Sequence, residues 1–454
     1  MDSLFRVKFN WPAYFAIIIA LRLIFLDMNW PSYFAITIAL HQFILLFNSF
    51  GSVIPVRYLF GFMMCLQMLI GPTFAYNGLD RFQVGTYKMQ IPEADYFAYA
   101  IPAVICFILG LHIRAGRLDG EVLDVDRIKD FVQKNVQLSY VFIGVGFVSS
   151  IVSNFFSSDI GFVFYLLGGF KFIGLFMIIL GNQYLKPVPL IIVFGSIISS
   201  SLAGGLFHDL LTWMLFLGAV YAIKYKPTTN LKALVTFGFL LLTVVIQQLK
   251  GDYRSATWQR GEQSGIETFT KAYEGRKEKN TLFSFESLAP SNIRINQGFI
   301  ITNIMSTVPE KVPFENGGEL YQILEAAFLP RVIAPNKLNA GDRDLFMKYS
   351  GIRLQKGTSM GLSSMGDAYI NFGIFGGCIF MFVLGFIYSE VLNAFKRGSR
   401  KYPILLLFTC LVFYYPIRPD CELQTILGHL VKSCFLIFIV FQIWKATFEV
   451  AEAD

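Results

Sequence analysis

The sequence predicts an all-α polytopic membrane protein with about twelve transmembrane helices and one large external loop. Three observations predict it. Of 454 residues, 55% are hydrophobic and only 15% charged, against about 25% charged in a soluble globular chain. Apolar runs of about twenty residues, the length that crosses a hydrocarbon core, recur along most of the chain. Those runs stop over 250–365, where Lys and Arg return at intervals.

The segments long and apolar enough to expect as spans lie near 11–26, 31–48, 52–73, 96–113, 137–155, 159–181, 187–205, 208–224, 231–249, 366–392, 402–417 and 425–445. They divide the chain into an N-terminal bundle (1–249, about nine spans), the loop (250–365) and three C-terminal spans (366–454). Arg6 and Lys8 before the first apolar run read as the flank of an uncleaved first span. WPAYFAIIIAL at 11–21 recurs as WPSYFAITIAL at 30–40, a local duplication of one span rather than an inverted repeat.

Charge orients the spans. Arg114, Arg117, Arg127, Lys129 and Lys134 cluster after the fourth span, Lys224, Lys226 and Lys232 after the eighth, and Lys396, Arg397, Arg400 and Lys401 after the tenth. Twelve spans put these turns on one side with both termini, and the positive-inside bias makes that side cytoplasmic. The net charge of +7 is thereby accounted for without nucleic acid as a partner. Six cysteines form no CxxC pair, so neither a disulfide framework nor a zinc site is expected. No metal-ligand spacing or cofactor motif occurs.

The loop is basic at its two ends. QQLKGDYRSATWQRGEQSG (247–265) places Lys250, Arg254 and Arg260 where the ninth span emerges. The return, 329–373, carries Arg331, Lys337, Arg343 and Arg353, then a Gly/Ser/Met turn and Asp367 and Tyr369 at the entry to the tenth span. Guanidinium groups offer planar bidentate donors to phosphate oxygens and lysine a point charge. At a membrane face this suits an anionic headgroup, most simply a diphosphate, although such cations also solvate loops. Between the ends, apolar positions 320, 323, 324, 327 and 328 predict one amphipathic helix that stops before Pro330, and 298–308 is a second short apolar stretch.

LPRVIAPNK, then YSG, then TSMGLSSMGDAYINFGIFGG resemble the C-terminal signature of bacterial Wzy-type oligosaccharide repeat-unit polymerases. The motif resemblance covers 329–373, while the many-span topology with a large loop before the last helices is less specific. Arg254 with Gly265 also matches an R-x10-G spacing of some members, itself a weak signal. The resemblance implies a bundle similar to C-type glycosyltransferases in the bacterial inner membrane. It implies transfer of a growing glycan from undecaprenyl diphosphate onto a new lipid-linked unit, without metal, beside a flippase and a chain-length regulator. Arg331, Lys337, Asp367 and Tyr369 lie within the matching stretch.

Such a reaction needs cations for the leaving diphosphate, and Lys250, Arg254, Arg331, Lys337 and Arg418 (in YPIRPDCEL) are the candidates. It also needs an acceptor for the hydroxyl proton, and His208, Asp209 and Asp367 are the candidates. Tyr369 and Glu325 are candidate glycan contacts. His208 beside Asp209 also reads as a solvated helix start, and His429 either as a core histidine or as a cavity lining. Arg22, Arg57 and Lys171 lie in or near spans, where an ionisable group is a functional hypothesis or an internal pair. The competing classes are an O-antigen ligase, a polysaccharide or lipid transporter, and a membrane acyltransferase.

Overall fold

The computed structural model describes residues 10–83, 85–115, 123–156, 158–182, 186–205, 207–278, 292–331, 333–355, 358 and 360–449. Arg6, Lys8, Arg117 and part of the Gly/Ser/Met turn lie outside them. Among the described residues the chain is all helical and has no β-strand. The helices are α1 (Trp11–Ile24), α2 (Trp30–Ser49), α3 (Val56–Tyr76), α4 (Glu93–His112), α5 (Val125–Lys134), α6 (Val136–Val152), α7 (Ser158–Gly168), α8 (Phe170–Gly181), α9 (Pro187–Gly204), α10 (His208–Tyr225), α11 (Thr229–Gln259), α12 (Ile266–Glu278), α13 (Gly298–Met305), α14 (Gly318–Phe328), α15 (Arg343–Ser350), α16 (Ser363–Ser399), α17 (Pro403–Val412) and α18 (Leu423–Ile443).

Eight helical segments among the described residues are long and apolar enough to cross a membrane, and nine if the bent pair α5–α6 is one span. The eight are α2, α3, α4, the α7–α8 segment from Ile160, α9, α11, α16 and α18. The other apolar runs of the sequence take different forms. α1 has only 14 residues. α10 begins His-Asp and ends Lys-Tyr, so its ends are polar. The run at 402–417 is a 3-10 turn at Pro403–Phe408 and one short turn of helix, because Pro403, Pro416 and Pro419 bracket it and proline removes a backbone donor. α5 meets α6 at 86°. Its buried Ile128, Phe131 and Val132 sit on one face of an otherwise charged helix, the pattern of a helix lying along a bundle end.

The centre of the bundle is α8, buried along its whole length, with α4 and α16. α9 and α11 are peripheral. Leu231, Leu234, Phe237 and Ile191 stand exposed on them, as lipid-facing side chains must. Two apolar stretches of the loop fold inward. α13 is almost wholly buried, and α14 buries Ile323, Ala326 and Ala327 while Tyr321 and Phe328 stay exposed. The described part of the loop is therefore a helical layer over one end of the bundle, the loop side.

α4 and α16 touch backbone to backbone. A Cβ on Gly110 would lie 2.1 Å from the Phe382 carbonyl oxygen, and one on Gly385 would lie 2.2 Å from that of Phe107. Small residues at a crossing let helices approach this closely, which matters in a membrane because apolar side chains gain nothing by leaving lipid. Above the crossing α16 bends at Gly373, whose φ of 64° and ψ of −159° are open essentially to glycine alone. The Phe314 ring lies 3.3 Å from where a Cβ would stand there.

Gly110→Ala and Gly385→Ala should each lower the apparent melting temperature of the purified protein, at a cost of about 1–3 kcal/mol from overpacking. Gly195→Ala, where nothing lies within 4 Å of a Cβ, is the control. Equal melting temperatures for all three variants and the wild type would contradict the backbone contact.

Candidate functional site

Two helices contain a π turn among the described residues, and in both it lies at the loop side. α3 contains a π turn at Leu66–Ile70 and α11 ends in one at Ser255–Gln259. A π turn leaves a backbone carbonyl without its usual partner and often marks a functional position. In α3 the Gln67 carbonyl accepts from Gln297 N at 3.1 Å, and the Gln67 side chain donates to Asp420 at 3.5 Å. Asn292 also donates to the Gly71 carbonyl at 3.1 Å. The loop segment carrying Arg294 is thus fixed on the π turn.

The second π turn follows Arg254. Its helix is anchored by a small cluster of Phe207, Leu211, Ile246 and Tyr253, with Phe269 packed against it. Tyr253 Oη donates to the Leu202 carbonyl at 2.6 Å and accepts from Gly265 N at 3.1 Å. The R-x10-G spacing thereby becomes a closed turn beside Arg254. Arg254 Nε donates to the Gly205 carbonyl at 3.0 Å, and its guanidinium lies 4.5 Å from the Trp258 ring centre.

These two anchors, with the turn after α17, bring four cations together. Lys250 interacts electrostatically with Arg254, Arg294 and Arg418, and Arg254 with Arg294. Arg418 is paired with Asp420 at 3.1 Å. Burial would raise the Asp420 carboxyl, but the charge and hydrogen bond of Arg418 outweigh it and hold the group below the usual carboxylate range. Lys250 and Arg294 make no hydrogen bond or ion pair among the described residues. Four like charges gathered from α11, the loop and the α17–α18 turn repel one another, and a single carboxylate, Asp420, offsets them, paired with Arg418 and within electrostatic range of Lys250.

Arg418 also faces the other way, within electrostatic range of Asp209, Tyr165 and Tyr414. There a cavity of about 180 Å³ is lined by Ser150, Tyr165, Lys171, Ser200, Asp209, Trp213, Tyr414 and His429 among others. A cavity of roughly 150 Å³ admits a benzene ring. Trp213 is stacked between Phe172, at 3.8 Å, and Tyr414, which gives the cavity a rigid aromatic wall. Asp209 Oδ1 accepts from the Tyr414 hydroxyl and pairs with His208 Nε2 at 2.6 Å. His208 and Asp209 keep 32% and 38% of their side-chain surface accessible, so the pair is open to a ligand. Lys171 Nζ lies 3.2 Å from Ser150 Oγ and near the Phe147 and Phe172 rings.

Five of the ten residues singled out from sequence therefore lie together: His208, Asp209, Lys250, Arg254 and Arg418. The other five lie elsewhere. Asp367 is buried and its Oδ2 accepts from Leu423 N at 3.1 Å, fixing the start of α18. Tyr369 packs on Tyr99 and Phe314, with its hydroxyl 3.4 Å from the Val308 carbonyl. Lys337 donates to the Ala326 and Leu329 carbonyls, where a cation satisfies the open end of α14. Arg331 donates to Asn339 at 2.6 Å in the turn that follows. Glu325 is half-buried on α14, and it does not line the cavity.

Lys171, Arg294, His429, Tyr165 and Tyr414 complete the site, and none was among the ten. Lys171 and His429 carried the one available signal, an ionisable group inside an apolar run. Arg294 and the tyrosines carried none.

Within the loop layer lies a buried acidic group. Glu319 on α14 is buried; its Oε2 accepts from Asn371 at 2.8 Å and its Oε1 has no partner among the described residues. Burial, with Glu315 and Glu422 adding to it against the Asn371 bond, pushes its carboxyl up to about 7. Glu315 is held low by Lys348 and Tyr349, which donate to it at 2.8 and 2.6 Å.

The chain belongs to a family defined by a domain of unknown function (DUF8712), whose model matches residues 98–447. All ten sequence-derived candidates and the five residues added to them fall inside that match. No curated protein and no solved structure matches the chain.

Glu319 gives a testable pH dependence. Its folded value near 7 lies above the ordinary 4.5, so the folded state holds the proton more tightly than the unfolded chain. The stability this supplies is complete below about pH 4.5 and is lost as pH rises through about 7. Wild-type melting temperature in detergent should fall over that window, and Glu319→Gln should flatten the fall. An unchanged slope in the variant would refute the assignment.

Proposed function

We propose that this protein is a membrane glycosyltransferase that polymerises oligosaccharide repeat units carried on a lipid diphosphate. The observation that carries the reading is the convergence of Lys250, Arg254, Arg294 and Arg418 beside a polar, aromatic-walled cavity. Two of those cations, Lys250 and Arg294, make no hydrogen bond or ion pair among the described residues, and Asp420 is the one carboxylate that bears on Lys250. A polyanion at the end of a membrane lipid would neutralise them, and a sugar ring suits the cavity beside it. The sequence motif at 329–373 points to the same class.

In this reading the growing glycan reaches the site on undecaprenyl diphosphate. The cations stabilise the diphosphate as the bond to the anomeric carbon breaks and negative charge grows on the leaving oxygen. Preorganised charges suit this task because they do not reorient during the step. Trp213 and the Tyr414–Asp209–His208 chain position the incoming sugar of a second lipid-linked unit, whose hydroxyl attacks. The remaining proposals follow the same class: about twelve spans in a C-type glycosyltransferase-like bundle, the loop side facing the periplasm, both termini in the cytoplasm, residence in a bacterial inner membrane, and a flippase and chain-length regulator as partners.

The test uses the purified protein in lipid vesicles with an undecaprenyl-diphosphate-linked repeat unit as the sole substrate. The wild type should yield a ladder of products. Lys250→Ala and Arg254→Ala should each reduce the rate by roughly 10²–10³-fold, the loss usual for one oxyanion-stabilising group, and both should remain in the membrane. No product without an added lipid A core acceptor would make the protein a ligase. Ladders of wild-type rate and length from Arg254→Ala would remove that residue from the site.

A further inference from the structure

His429 is buried to 1% exposure on α18, in a run of otherwise apolar side chains. Its Nε2 lies 2.8 Å from the Leu411 carbonyl oxygen. A carbonyl only accepts, so Nε2 carries the proton and Nδ1 is the basic nitrogen. Nδ1 is buried and has no partner among the described residues. A buried polar atom left without a partner carries a desolvation penalty of about 1–3 kcal/mol. The ring that bears it lines the cavity described above, held edge-on by Phe162 and 4.9 Å from the Tyr415 ring.

The other acceptor in the cavity is differently placed. Asp209 Oδ1 already receives Tyr414 and His208, which orients it as a structural and electrostatic partner. Lys171 and the tyrosine hydroxyls arrive as proton donors. Nδ1 is thus a buried acceptor, unpartnered among the described residues, on a ring that lines the cavity. The titratable and charged groups around it are Asp209 from α10, Lys171 from α8, Tyr165 from α7, Tyr414 and Tyr415 from the turn after α17, and Lys432 on α18 itself.

We infer that His429 is the general base of the transfer, accepting through Nδ1 the proton of the attacking sugar hydroxyl. This rests on the reading of the protein as a lipid-linked glycan polymerase. In the step the acceptor O–H bond breaks and its proton bonds to Nδ1. The oxygen's electron pair forms the new glycosidic bond to the donor's anomeric carbon. The bond from that carbon to the diphosphate oxygen breaks, and its electron pair leaves with the diphosphate. The imidazolium formed keeps its Nε2–H bond to the Leu411 carbonyl and loses the extra proton to water when product departs. The backbone carbonyl fixes the tautomer, which puts the lone pair on Nδ1.

The experiment follows initial rates of the vesicle-reconstituted protein with the undecaprenyl-diphosphate-linked unit, from pH 8 down to about 3, because a buried imidazole takes up its proton at lower pH than a free one. The wild-type rate should fall toward acid pH as the imidazole takes a proton before substrate can give one. In His429→Gln the side-chain amide keeps a donor for the Leu411 carbonyl but offers no basic nitrogen. That variant should fold with an unchanged melting temperature, lose roughly 10²–10⁴-fold in rate, and lose the acid limb from what activity remains. A folded His429→Gln protein retaining half the wild-type rate overturns the role of His429 and leaves the polymerase reading standing. A wild-type rate flat to acid pH overturns it without any variant. A wild type that forms no polymer overturns the polymerase reading, and this inference with it.

Discussion

The rest of the structure depends on the close crossing of α4 and α16. Gly110 and Gly385 let the two backbones meet, and dispersion over that contact substitutes for the hydrophobic drive that lipid does not provide. What the crossing holds reaches the site. α16 is fixed by α4 below Gly373, and above the bend its Asp367 receives the first amide of α18. The same end of α18 is tied to the loop by Gly341 N on Glu422, at 2.7 Å, and by Gln424 on the Leu338 carbonyl, at 2.8 Å. α18 carries His429. The cavity's position is therefore set by a glycine contact remote from it along the chain.

Charge inside this bundle follows one rule with few exceptions. Cations sit on the open carbonyls of helix ends: Arg57 on Leu111, Lys224 on Ile179 and Asn182, Arg254 on Gly205, and Lys337 on Ala326 and Leu329. Each arrangement completes a helix terminus that lipid could not solvate. Lys171 and Arg418 are paired otherwise, with Ser150 and Asp420, whereas Lys250 and Arg294, which interact with each other, make no hydrogen bond or ion pair among the described residues. Groups that break a rule their neighbours obey are where stability has been given up for something else, which makes this pair the centre of the functional reading rather than the more numerous Lys and Arg of the loop.

Both ends of the loop looked equally basic in sequence, yet they serve different purposes. The first end delivers Lys250 and Arg254 to the site. The return end delivers Lys337, Asp367 and Tyr369 to the backbone carbonyls, amides and rings that build the base of the loop. A linear motif records which residues travel together and does not record which way each side chain points. Asp367 supports the start of α18, and so acts on the site through the position of His429.

The sequence alone determined the helical class, the breaks between apolar runs, the place of the loop and the two basic ends of that loop. Composition and hydrophobic run length carry that information, because lipid admits only backbone that satisfies itself. Its span count exceeded the eight long apolar helices seen among the described residues, since prolines at 403, 416 and 419 and polar ends on α10 break the correspondence between apolar run and straight helix. Only the tertiary structure decided the site. Arg294, Arg418, Lys171 and His429 come from four separate stretches of chain, and no local pattern distinguishes a histidine filling a core from one whose ring forms the wall of a cavity. That difference lies in what the neighbouring helices leave unfilled, which is a property of packing.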